Sequence, residues 1–138
     1  MKTQSITLRY LASLLMLLAI FTTSCGSKEG KVEGVNMLYG KDSKVWKTDK
    51  ELDATGDKVK QTDAQEDERL TFFANGQYNM TSPTGATNGK YTFDQTGKTI
   101  TMTPEGAAES NTFSVVTLTD DKLTLKSAAG AELRLEKE

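Results

Sequence analysis

From Arg69 to Glu136 the chain repeats one pattern, short runs in which large apolar residues stand two apart with Thr, Lys, Asp and Glu between them. Leu70 and Phe72, Tyr78 and Met80, Tyr91 and Phe93, Ile100 and Met102, Leu123 and Leu125, and Leu133 and Leu135 are the pairs. Successive side chains of an extended chain point to opposite faces, so this spacing makes one dry and one wet face on every run. Helical spacing of three and four does not fit it. Turn chemistry separates the runs: Ala74-Asn75-Gly76, Gln95-Thr96-Gly97, Asp120-Asp121 and Ala129-Gly130. Asn-Gly between alternating runs is the strongest short-range hairpin signal. Strands are therefore expected at 69–73, 77–81, 90–94, 98–103, 112–118, 122–126 and 132–136.

Two weaker runs precede these. One holds Val45 and Trp46; the other, 52–59, is interrupted by Ala54-Thr55-Gly56-Asp57, which reads as a hairpin turn. Thr62 and Gln65 have the spacing of a capping box, which predicts one helical turn. The fold class is thus all-β, an antiparallel up-and-down meander of eight or nine short strands. So many consecutive hairpins leave two exposed edges, which closure removes, so a small barrel is the first expectation and an open or flattened sandwich the second.

The beginning of the chain belongs to a different architecture. Lys2 and Arg9 precede one uncharged apolar run from Tyr10 to Phe21, 12 residues long. A membrane-spanning helix needs roughly 20 apolar residues and a signal-peptide core about 7 to 15, so the run is read as an export signal. It leads through Thr22-Thr23-Ser24 into Cys25, the single cysteine, which has no partner for an internal disulfide. Thr22-Thr23-Ser24-Cys25 resembles the bacterial lipobox, with Thr22 where leucine is usual, and the resemblance implies a lipid on Cys25 that anchors the chain to a membrane. Gly26 and Ser27, by analogy with proteobacterial sorting, favour the outer membrane over the inner, with its periplasmic or surface face undetermined. The expected organisation is a lipoprotein signal peptide at 1–24, the lipidated cysteine and a tether at 25–42, and the β-domain at 43–138. Val35, Met37, Leu38 and Tyr39, at the end of the tether, are expected to pack against the domain.

Composition excludes more than it selects. Without Lys2 and Arg9, 17 − 2 = 15 basic residues face 19 acidic ones, a charge of −4, and no basic stripe suggests nucleic acid. The chain has no histidine, and its one cysteine is assigned to the lipid, so the usual base, metal ligand and thiol nucleophile are missing and no enzyme is expected. Asp63, Glu66, Asp67 and Glu68 lack the alternating ligands and central glycine of a calcium loop and read as a solvated face; no metal and no cofactor is expected. Asn79-Met80-Thr81 fits a glycosylation pattern by chance, on a strand.

Ser43-Lys44-Val45-Trp46, the stretch from Leu70 through Asn75-Gly76 to Tyr78, and Gly89 to Phe93 together resemble the small lipocalin-like proteins of bacteria, over residues 43–138. Lipocalins usually open their first strand with Gly-x-Trp, the indole closing the barrel floor; Trp46 stands in that place, but Lys44 replaces the glycine. In larger lipocalins an arginine near the last strand lies over that tryptophan, and Arg134 is the candidate here, although the alternation turns it outward. The resemblance implies a small hydrophobic ligand inside the barrel, with Trp46, Phe72, Tyr78, Tyr91, Phe93 and Phe113 as its candidate lining. The alternative is a barrel filled by its own side chains and holding no ligand, a protein-interaction module of the cell envelope, for example a periplasmic inhibitor or a structural lipoprotein, whose partner would dock on the loops 82–88 and 105–111.

Overall fold

The computed structural model describes residues 30–138; the signal run at 1–24 and Cys25 lie outside the described residues. Eight strands follow in order: β1 (Ser43–Leu52), β2 (Arg69–Phe73), β3 (Gln77–Ser82), β4 (Gly85–Asp94), β5 (Thr99–Pro104), β6 (Asn111–Leu118), β7 (Lys122–Lys126) and β8 (Glu132–Lys137). Each pairs with the next, and β1 closes on β8 to complete the barrel. Every pairing is antiparallel. Closure gives every strand two neighbours, as the meander required.

The count settles at eight because the 52–59 run folds back as a minimal hairpin that adds no strand, Asp53 donating its N–H to the Asp57 carbonyl at 2.9 Å and Val59 to the Glu51 carbonyl at 2.9 Å. Leu52 and Lys58 make one isolated bridge. Between them Asp53 Oδ1 accepts from the backbone N–H groups of Thr55 at 2.9 Å and Asp57 at 3.0 Å, winding the chain into a local turn. The capping box forms: α2 (Asp63–Glu66) has Thr62 as its N-cap, with Gln65 reaching back. The segment α1 (Asn36–Tyr39) precedes β1.

β4 is longer than its apolar pattern. It begins at Gly85, and Ser82 to Lys90 pair across the β3–β4 hairpin down to a tight turn at Pro83-Thr84. Gly85 to Asn88 carry no large apolar residue, so alternation could not announce this part of the strand. Register carries it instead: once Gln77 pairs with Lys90, the backbone groups beyond are already opposite one another.

The two ends of the barrel differ. At one lie the start of β1, the β2–β3, β4–β5 and β6–β7 turns and the end of β8; at the other lie the loops that follow β1, β3, β5 and β7. The first end is closed by the segment before β1. Glu33 donates its N–H to the Leu118 carbonyl at 2.8 Å, and Leu118 donates to Lys31 at 2.8 Å, so this segment pairs beside β6 in parallel. Leu38 then enters the core with none of its surface exposed. The packed unit includes this segment as well as the strands.

Candidate functional site

The inward face shows whether a ligand has room. Leu38, Trp46, Phe72, Ile100, Leu118 and Leu123 are 0% exposed. These side chains have no surface left for water or a ligand to touch, so the barrel around them is closely packed. The aromatic side chains touch: the Phe72 and Tyr91 rings meet edge to face with centroids 5.0 Å apart, and the Phe72 and Tyr78 centroids are 6.4 Å apart. Tyr91 donates its hydroxyl to the Phe73 carbonyl at 2.6 Å, which satisfies the polar end of a buried ring. Burial, and then the nearby Tyr39, push the Tyr91 hydroxyl up to about 12.

The six residues nominated from sequence as a ligand lining fall into two groups. Trp46, Phe72, Tyr78 and Tyr91 are buried within the core, whereas Phe93 and Phe113 are partly buried and pack against it. Tyr78 lies over Gly89 of β4. A methyl group at Gly89 would stand 2.6 Å from Tyr78 Cε1 and 2.4 Å from the Thr103 carbonyl oxygen, so this position admits no side chain while the ring lies there. Burial raises the Tyr78 hydroxyl above its ordinary range.

Trp46 anchors the closed end together with a residue that the sequence reading did not select. The Trp46 Nε1–H donates to the Leu38 carbonyl at 2.9 Å, and Lys44 Nζ donates to the Met37 carbonyl at 2.7 Å. These are carbonyls at the end of α1, where a helix has no backbone donor left for them. Lys44 also donates to the Asp120 carbonyl at 2.9 Å and to Asp120 Oδ1 at 3.0 Å, joining α1 to the β6–β7 turn. Its ammonium lies 5.1 Å from the centre of the Trp46 ring, within reach of a cation–π contact. The cation over the tryptophan is therefore Lys44, not Arg134, which is exposed and pairs with Glu132 at 3.2 Å. A signal for this was present: Lys44 is two residues before Trp46, on the face the alternation turns inward.

The hydrogen bonds from Lys44, followed by those from Lys137, hold the Asp120 carboxyl below its ordinary range. At the other end the inward face opens. Met80, two residues beyond Tyr78 on that face, is 39% exposed and is the exposed large apolar side chain of the described residues. Leu133 is partly buried near the same end, and Met102 is 8% exposed. Among the described residues no group of three His, Cys, Asp or Glu side chains is placed to hold a metal ion.

Comparison with known proteins agrees with this architecture. Residues 39–125 match the family model described as a lipocalin-like domain. Among solved structures, a lipocalin-like protein from Bacteroides uniformis is similar at 17% identity and a TM-score of 0.57, covering 69% of this chain and 96% of its own. A protein from Bacteroides eggerthii is similar at 16% identity and a TM-score of 0.56, covering 69% of this chain and 98% of its own. A DUF4847 family protein from Bacteroides vulgatus has 11% identity and a TM-score of 0.54, covering 75% of this chain and 96% of its own. These likenesses show the fold. No curated protein matches the sequence.

Proposed function

This chain belongs to the lipocalin-like domain family, and from that premise we propose that it is a membrane-anchored binding protein of the bacterial envelope, holding a small apolar molecule at the open mouth of its barrel. One observation carries the reading: the inward face is sealed at depth, with Trp46 and Phe72 0% exposed, and open at the rim, where Met80 is 39% exposed. A ligand seated at depth would have to displace packed aromatic side chains, whereas one at the mouth covers apolar surface already in contact with water. Methionine suits such a surface, because its unbranched, polarisable side chain adapts to ligands of different shape.

The anchor is proposed to be a lipid on Cys25 in the outer membrane, supported by the uncharged run before it. Only Gly26 to Gly30 separate Cys25 from Lys31, where the pairing beside β6 begins. A chain of that length reaches at most roughly 20 Å. The tether therefore holds the barrel close to the bilayer that carries the lipid.

The test uses the full chain in detergent micelles, labelled with carbon-13 in its methionine methyls, and decanoate as the probe. A saturable shift of the Met80 methyl is expected, and Met80→Lys should weaken binding by about tenfold, the equivalent of ~1.4 kcal/mol. No saturable shift at Met80, or a change in Trp46 emission without one at Met80, overturns the mouth as the site.

A further inference from the structure

The barrel also has a cleft on its outer wall. It occupies about 810 Å³ between β3, β4 and β5, under the loop that follows β5. Small-molecule sites have volumes of roughly 300–1,000 Å³. Gln77, Asn79, Asn88 and Lys90 line it from the outward positions of β3 and β4, with Tyr78 and Gly89 beside them, and Met80 of the mouth does not border it.

The geometry points to this cleft as a binding site for a saccharide. Its polar groups are planar amides already held in place by one another. Asn79 Nδ2 donates to Asn88 Oδ1 at 2.7 Å, and Asn75 Nδ2 donates to Gln77 Oε1 at 3.0 Å. In the first pair this leaves the Asn79 carbonyl oxygen and the Asn88 amino group uncommitted to each other, an acceptor beside a donor. Neighbouring hydroxyls of a sugar ring, each both donor and acceptor, are matched by such a pair. Apolar surface for the C–H face of a sugar comes from the half-buried Phe73 and from Pro104 and Ala107.

Charge narrows the class further. Lys90 and Glu105 both line the cleft, and neither makes a salt bridge among the described residues. Their opposite charges cancel, so the cleft selects neither an anion nor a cation. A fatty molecule would leave the amides without partners as it displaced their water. An extended peptide would instead add to the β4 edge at 85–87, which pairs with β3 alone, and would engage backbone groups rather than the Asn79 and Asn88 amides.

The experiment follows the nitrogen-15 side-chain amide signals of Asn79 and Asn88 in the full chain, in detergent micelles. Chitotriose and maltotriose are the saccharide probes, tetra-alanine the peptide comparator and decanoate the mouth ligand. At least one trisaccharide is expected to shift both amides saturably at concentrations up to about 10 mM, and Asn88→Ala should weaken it by about tenfold. An unchanged Trp46 emission spectrum checks that the variant is folded. Failure of both sugars, or tighter binding of tetra-alanine, overturns the assignment. The decanoate arm reads Met80, so the saccharide site and the mouth site can fail separately.

Discussion

At the closed end of the barrel Leu38, Trp46, Leu118 and Leu123 have no exposed surface, and Lys44 is 8% exposed with its ammonium fully engaged. At the open end Met80 belongs to the same inward face and keeps 39% of its surface in water. The strands that build both ends follow one rule of alternation, so alternation is not what separates them. The closed end has an additional layer, the segment from Lys31 to Gly40, which supplies Leu38 and brings two helix carbonyls that Lys44 and Trp46 must satisfy. No corresponding segment covers Met80 among the described residues. Closing this end of the eight-stranded barrel therefore takes chain from outside the meander, and the other end leaves Met80 partly in water.

Mutations should divide along that line. Trp46→Ala removes the largest fully buried side chain and its hydrogen bond to Leu38. It should cost about 3–5 kcal/mol in denaturant unfolding, and a loss below about 1 kcal/mol would mean that the closed end is not where stability resides. Lys44→Met keeps the stem but strips the Met37 and Asp120 carbonyls of their donor, which should cost about 1–3 kcal/mol in the same measurement.

Two pH effects sharpen the contrast. The Tyr91 hydroxyl is raised from an ordinary value of 10.0 to about 12, first by burial. A raised folded-state value adds stability that is complete below pH 10 and is lost as the pH rises through about 12. Alkaline unfolding should therefore steepen across that window in wild type and flatten in Tyr91→Phe, followed by circular dichroism. Asp120 is shifted the other way, chiefly by its hydrogen bond from Lys44. Its contribution is present above the ordinary carboxylate value of 3.8 and fades as the pH falls through its lowered value, a dependence that Asp120→Asn should abolish in acid melts. The smallest effect is expected at the mouth: Met80→Ala should cost no more than about 1 kcal/mol, because 39% of its surface is already in water and only the remainder is lost from burial. A much larger loss would show that Met80 packs as core and would remove the mouth from consideration.

Much of this architecture could be read before any coordinates. The pairs standing two apart from Leu70 to Leu135 and the turn at Asn75-Gly76 imply an antiparallel meander, and the turn glycine has the positive φ of 83° that the hairpin needs. The capping box at Thr62 and Gln65 was equally plain. The start of β4 was hidden, because Gly85 to Asn88 pair through their backbones and leave no pattern in their side chains. Lys44 escaped for a different reason. A lysine on an inward position contradicts binary patterning unless acceptors are waiting for it, and those acceptors come from α1 and the β6–β7 turn, one of them 76 residues away. The outer cleft had no signal at all, since Gln77, Asn79, Asn88 and Lys90 read as ordinary wet-face residues until the hairpin brings them together.

What the sequence determined by itself was local: which residues face the dry side of each strand, where the chain turns, and that its opening run differs in kind from the rest. These follow from the period of side-chain direction and from turn geometry, which act over a few residues. Only the tertiary structure decided that the meander closes at eight strands, that its depth is closely packed, and that Lys44 holds one end shut while Met80 is left uncovered at the other. Those outcomes depend on register, on the volume enclosed by closure and on partners distant in the chain, and no short window of residues contains them.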